Sequence, residues 1–235
     1  MGWIKMDKLI RITSTDPNDD GRKLSQELKN HINDFDTAVT KLIESKNFKP
    51  SQQKAELLFM MNLIRDNNYS KICEIGTFKG GTTICFCLAA PVNAKIVTID
   101  INITREKQRL LIDFTKKGQK ITSLRGDTRR LSTYLKTQYE FRGEDIDFLL
   151  IDGDHSLEGV MNDYVRYSPL VRKGGTIIFH DIHPDSFIRD GVKTTSNVGD
   201  VPSFWQLLSS NLEGSSTFIE DPNQDGFGLG IIKKK

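Results

Sequence analysis

Cysteine is scarce in this 235-residue chain, which has only Cys73, Cys85 and Cys87. An odd number of cysteines set in apolar runs excludes a disulfide framework and predicts reduced, buried thiols. Cys85 and Cys87 form C-x-C, which fits neither the usual zinc spacing nor a C-x-x-C redox pair. Long hydrophobic runs are also missing, and none approaches the roughly 18 residues of a spanning helix. The start, Met1 to Ile10, lacks the apolar stretch of a signal peptide, and Met6 stands where a myristoylation pattern needs Ser or Thr. A soluble, cytoplasmic protein with no membrane partner is expected. Nor is one sign of charge in excess, since 33 basic and 31 acidic residues leave +2. That balance argues against a nucleic-acid partner, whose phosphates call for a basic stripe. The Lys233–Lys235 run reads as a solvated tail.

What is present is an orderly alternation. Thr13–Gly21 is turn-rich and reads as a mobile connection. Leu24–Glu44 carries spaced apolar positions that predict a helix, N-F-K-P at 47–50 breaks it, and Ser51 reads as the N-cap of a second helix through Asn67. From Lys71 onward, short apolar runs recur at 71–76, 95–100, 120–125, 146–151 and 175–180. Helical stretches fall between them, near 81–90, 104–117, 129–138 and 157–172. Strands apolar on both faces and separated by helical lengths predict an α/β fold with a parallel, doubly wound, Rossmann-like sheet. An irregular stretch follows Asp181, with Pro184–Pro202 as a candidate lid. A helix is expected around 203–210, then strands at 216–220 and 227–232 as an antiparallel hairpin at one edge. Phe204 and Trp205 are read as core, with stacking on an acceptor as the second reading.

In such a sheet, ligands bind beyond the carboxyl ends of the strands. Nearly every one of those ends carries an acid: Glu74, Asp100, Asp127, Asp152 with Asp154, and Asp181. Acids suit the helix starts that follow strands, but so many together repel one another unless a ligand offsets them. The loop Gly76–Thr83 is the sharpest feature. A dinucleotide fingerprint needs glycine where Phe78 stands, and a P-loop needs lysine where Gly81 stands. Asp100 ends the next strand, where a carboxylate accepts from ribose hydroxyls. Together these features predict a nucleoside ligand without a diphosphate.

The motifs E-I-G-T-F-K-G-G-T-T, V-T-I-D-I-N and R-G-D, followed by D-F-L-L-I-D-G-D-H-S-L-E-G-V and Y-S-P-L-V-R-K-G-G-T-I-I-F-H-D-I-H, resemble those of class I S-adenosylmethionine (SAM)-dependent methyltransferases. The resemblance is to the small-molecule O-methyltransferases grouped with the macrocin, mycinamicin and cephalosporin hydroxylase-like proteins, and covers about residues 51–232. It implies seven strands with the last antiparallel, a methyltransferase domain over 51–235, and a helical extension over 1–50. It implies that Glu74, Gly76 and Thr77 line the methionine half of SAM, with Gly80 and Ile101 completing the cofactor-binding set. Asp100 would hold the ribose, Asn102 would flank the adenine, Asp127 would sit near its amine, and Asp152 beneath the reacting methyl.

A hydroxyl acceptor must lose a proton during methyl transfer, to a base or with a metal's help. His155, His180 and His183 fall at the two strand ends nearest the reacting methyl. His155 is the first candidate base, because an unperturbed histidine titrates near pKa ~6.5. Asp152 and Asp181 match the Mg²⁺ ligands of related enzymes. His180 and Ile182 depart from the acidic neighbour that some relatives carry beside the second aspartate, and no third ligand is evident. The expected function is O-methylation of a small hydroxylated metabolite or sugar, with a small-molecule acceptor and room for a homo-oligomer. The rivals are an NAD-dependent oxidoreductase and a non-catalytic SAM-binding protein.

Overall fold

The computed structural model describes residues 17–235. The readings of Met1–Ile10 and of residues 13–16 lie outside the described residues. Helix α1 (Pro17–Lys29) begins inside the stretch read as a mobile connection, at a proline suited to a first helical turn. The helix expected over Leu24–Glu44 is in fact two, because the chain turns after Lys29 and Asp34 restarts it as the cap of α2 (Phe35–Glu44). Helix α3 (Lys54–Asp66) is capped by Gln53 rather than Ser51, since Glu56 reaches back to the Gln53 amide at 2.8 Å.

Strands and helices then alternate as β1 (Lys71–Ile75), α4 (Gly81–Ala89), β2 (Lys95–Asp100), α5 (Arg105–Ile112), β3 (Lys120–Arg125), α6 (Leu131–Glu140), β4 (Ile146–Ile151), α7 (Leu157–Tyr167) and β5 (Val171–Phe179). The chain ends with α8 (Ser186–Asp190), α9 (Val201–Ser210), β6 (Ser215–Phe218) and β7 (Leu229–Lys233). The seven strands lie in the order β3-β2-β1-β4-β5-β7-β6, with β1 to β5 parallel. β7 runs antiparallel to both neighbours. The expected terminal hairpin is therefore present, but its second strand is inserted beside β5 and its first forms the edge. The winding reverses between β1 and β4, so the helices that follow these strands leave a crevice there.

The alternation of side chains along the strands builds two cores. Ile72, Phe148, Leu150 and Ile178 face α1 to α4, burying Leu28, Val39, Leu42 and Met60. Cys73, Ile75, Leu149, Ile177 and Phe179 face α6, α7 and α9, burying Val160, Tyr167, Phe204 and Trp205. Trp205 packs on Gly230, where a Cβ would come within 2.6 Å of the indole, so it and Phe204 are core residues. All three cysteines are free and buried, and burial pushes their thiols well up, Cys87 to about 12. No helix among the described residues is long and apolar enough to cross a membrane.

Leu42 is fully buried in the layer shared by α2 and the sheet. Truncating it to alanine removes packing and leaves a cavity, at a cost of about 2–5 kcal/mol. Urea unfolding of Leu42→Ala should show one transition shifted to lower urea. A helical segment that melts separately from an unshifted main transition would contradict the shared core.

Candidate active site

Beyond the carboxyl ends of β1 to β5 lies a cavity of about 770 Å³. Gly76, Thr77, Asp100, Ile101, Asn102, Asp127, Asp152, His155 and Asp181 all line it. Glu74 and Gly80 do not. Glu74 is fully buried behind the loop, where one carboxyl oxygen accepts from the hydroxyls of Thr83 and Thr98, and burial pushes its pKa up to about 8. Thr98 in turn bonds the Thr77 hydroxyl, so Glu74 braces the loop from behind. Gly80 caps α4 with φ +85° and packs against Leu111, facing away from the cavity.

The loop after β1 follows from two close approaches. Gly76 has φ +92°, and a Cβ there would fall 1.7 Å from the Asp152 carbonyl oxygen, so only glycine lets the β1 and β4 ends meet. Phe78 also has positive φ, 47°, an uncommon state for a bulky side chain, and its ring stands 67% exposed at the rim. The Asp100 carboxylate holds that conformation, accepting the amides of Thr77 at 3.0 Å, Phe78 at 2.9 Å and Asn102 at 2.6 Å. A carboxylate offers about four acceptor sites. Asp100 thus shapes the loop and keeps capacity for a ligand hydroxyl. Asp127 is tied to Arg129, receiving its backbone amide at 2.9 Å and its guanidinium at 3.0 and 3.3 Å.

At the other end, acids and imidazoles interlock. One Asp152 oxygen lies 3.4 Å from His155 Nε2 and 3.3 Å from His180 Nδ1, while the other accepts from the Gln52 amide at 2.5 Å. Asp181, with φ 59°, turns its carboxylate to within 3.7 Å of His155 and 3.3 Å of His180. His180 is buried and bonds Glu56 through Nε2 at 3.1 Å. Burial works to raise Asp152, but the two imidazoles outweigh it and hold the carboxyl down at about 2. Burial works to lower His155, yet Asp152, the Asn197 carbonyl and Asp181 raise it to about 9. The value near 6.5 expected for His155 therefore does not hold beside these carboxylates. His180 is raised well above 6.5 as well, its burial outweighed by Asp152 and Asp181.

The sequence offered no third ligand beside Asp152 and Asp181, and the fold brings His155 to that position. Asp152, His155 and Asp181 each bring one ligand atom within 4.8 Å of the others. The two carboxylates suit a hard cation, and the imidazole completes the set. His183 is the exception among the three histidines, because it turns outward to Arg189 at 2.9 Å and does not line the cavity. Sequence reasoning missed Gln52 and Glu56, which reach across 100 and 124 residues to Asp152 and His180. Nothing local marks either one beyond Glu56's place in a capping box. The candidate lid is a folded element, latched by the Asn197 carbonyl on His155 Nδ1 at 2.6 Å and by Asp200 on the Leu157 amide at 3.0 Å.

Residues 73–182 form a domain matching the family described as "Methyltransferase domain", which spans β1 to the end of β5. A flavonoid 3',5'-methyltransferase of Vitis vinifera is 29% identical over 127 residues, covering 53% of this chain and 52% of that protein. The chain thus spans about half the length of this curated relative. The O-methyltransferase TomG of Streptomyces achromogenes, solved with SAM, superposes with TM-score 0.59 at 16% identity, covering 86% of this chain and 90% of that one. The MycE methyltransferase of mycinamycin biosynthesis, solved with Mg, SAH and mycinamycin VI, gives TM-score 0.55 at 15% identity, covering 84% of this chain and 53% of that one. These two likenesses bear out the expected seven-stranded α/β fold with its antiparallel last strand.

His155 has its pKa raised on folding, so its contribution to stability is complete below about pH 6.5 and is lost as pH rises through about 9. With chelator present, the Tm difference between wild type and His155→Gln should be largest below pH 6.5 and vanish above pH 9. A difference that grows with pH would overturn the assignment of the acids as its partners.

Proposed function

We propose that this chain is a SAM-dependent O-methyltransferase acting on a small hydroxylated acceptor. The observation that carries the reading is continuity, since one cavity joins Asp100 to the Asp152–His155–Asp181 cluster. The methyltransferase domain match and the SAM- and SAH-bound neighbours support the same reading. The NAD alternative meets a physical obstacle. A pyrophosphate needs the open N-terminus of the helix after β1. The dinucleotide turn that carries a pyrophosphate there needs glycine where this chain has Phe78, whose ring stands at the cavity rim.

When bound, SAM supplies an electrophilic methyl group on a sulfonium. Asp100 would accept from the ribose, Gly76 and Thr77 would border the methionine part, and Ile101, Asn102 and Asp127 would border the base. Asp152 would face the reacting end of the cofactor, and the two imidazoles and Gln52 fix its carboxylate in place. Much of the rate then comes from positioning. His155 takes the acceptor's proton at Nε2, with its Nδ1–H held on the Asn197 carbonyl. Asp152 and Asp181 help raise His155 to about 9, so positive charge bound beside them would lower it toward the range of a working base. Asp152 and Asp181 would hold Mg²⁺ in the same position, where the metal supplies acidification of a bound hydroxyl. We place the catalytic unit at 51–235 and the helical extension at 1–50. The buried free thiols fit a reducing, cytoplasmic setting.

Thermal shift separates the readings. SAM and SAH should each raise Tm, since ligand at a hundredfold excess over Kd adds about 2.7 kcal/mol, and Asp100→Ala should abolish the shift. Stabilisation by NAD alone would contradict the proposal.

A further inference from the structure

The outer side of α6 and α7 is apolar where a helix facing water should be polar. Leu131, Leu135 and Tyr139 stand at i, i+4 and i+8 of α6, and Leu157, Met161 and Val165 repeat the spacing on α7. These six are 47–80% exposed, and they are six of the fourteen large hydrophobics exposed among the described residues. Thr133 and Thr137 of α6, like Val160 and Tyr167 of α7, are buried, so each stripe lies opposite its helix's core side. The helices are neighbours, since Tyr134 of α6 packs edge-on against Tyr167 of α7 with centroids 5.7 Å apart. The stripes are also level. α6 starts at Leu131 and α7 at Leu157, each six residues beyond its strand end at Arg125 or Ile151. Those two strand ends match in register through β2 and β1 to within one residue. On the far face of the sheet, α2 and α3 cover α4, whose nine residues are all buried. Among the described residues, nothing covers α6 and α7 in this way.

Two level stripes on neighbouring helices form one patch, not the scattered apolar residues of a monomer surface. Its exposed area is of the order of the roughly 800 Å² that each partner buries in a standard interface. The charges beside the stripe identify the partner. Glu158 and Arg166 lie eight residues apart on α7, about equally far from its middle at Met161 and Asn162, and neither forms an ion pair among the described residues. Two copies of α7 laid antiparallel across a two-fold axis bring each Glu158 beside the partner's Arg166. Leu157 then meets the partner's Val165, and Met161 meets its own counterpart at the axis. The same axis sets Leu131 against the partner's Tyr139 and Leu135 against itself. A parallel two-fold pairing would instead oppose like charges at both ends of α7, which is costly. We propose that the α6–α7 face is the two-fold interface of a homodimer, with α7 antiparallel to its copy.

Sedimentation velocity of the purified full chain over a micromolar concentration series reads this directly. With rising concentration, the mass should approach twice the 26.7 kDa of one chain. Met161→Lys sets two like charges at the axis and should raise the dimer Kd at least about tenfold, and Leu135→Lys should do the same. Glu158→Arg and Arg166→Glu should each raise it by about three- to tenfold. The double variant exchanges the two charges and should return the Kd to within about twofold of wild type, a rescue that only antiparallel copies allow. A wild type that stays monomeric overturns the proposal, whether the face then binds anionic vesicles or the chain's own residues 1–16. A dimer unchanged by both lysine substitutions uses another face and overturns it too. If the lysine variants do not unfold cooperatively, the charge exchange decides alone, and a double variant no tighter than the single ones contradicts the antiparallel pairing.

Discussion

Burying the Asp152 carboxylate at the end of a fully buried strand is possible only because three partners converge on it. Gln52 donates to one oxygen, while His155 and His180 crowd the other. Each partner comes from a different part of the chain, and each is fixed in turn. The Thr82 hydroxyl bonds Gln52, the Asn197 carbonyl holds His155, and Glu56 holds His180. Removing any partner leaves a buried charge less compensated, which is why the cluster ties the N-terminal helices, the loop after β5 and the sheet into one unit. Glu56 extends the chain of bonds to the Gly228 amide, next to β7.

The electrostatic consequence is a site built to accept positive charge. Two imidazoles face three carboxyl groups, Glu56, Asp152 and Asp181, within 3.1–3.7 Å. Asp152 and Asp181 favour the protonated form of His155, whose charge offsets theirs. On the proposed function a bound cation and the base are therefore linked, because positive charge beside the acids would lower the His155 pKa. A metal and a sulfonium exert the same local effect, and His180 stands where an acidic neighbour would have made a richer metal site.

Much of this architecture was legible in the sequence, for physical reasons. The β-strands announce themselves because parallel strands buried on both faces read as short apolar runs, and the acids at their ends were visible as a series. Gly76 could be recognised as a turn, but the reason it must be glycine, the Asp152 carbonyl 1.7 Å from a Cβ, is a contact across 76 residues. The split between α1 and α2 was missed because apolar spacing runs through the Asp34 cap. Glu74 and Gly80 fit a motif, yet burial puts the one behind the loop and turns the other away. The histidine pKa values were out of reach, since they depend on which carboxylates the fold brings near. Gln52 and Glu56 carry no local mark and become informative only through their partners.

The central claim is that a single nucleoside cofactor spans the cavity from Asp100 to Asp152. A crystal structure of the chain with S-adenosylhomocysteine tests it most directly. The account predicts ribose hydroxyls on Asp100, the sulfur facing Asp152 and His155, and Gly76 against the ligand's amino-acid part. A ligand bound outside this cavity, or one that leaves Asp100 without a ribose, would contradict it.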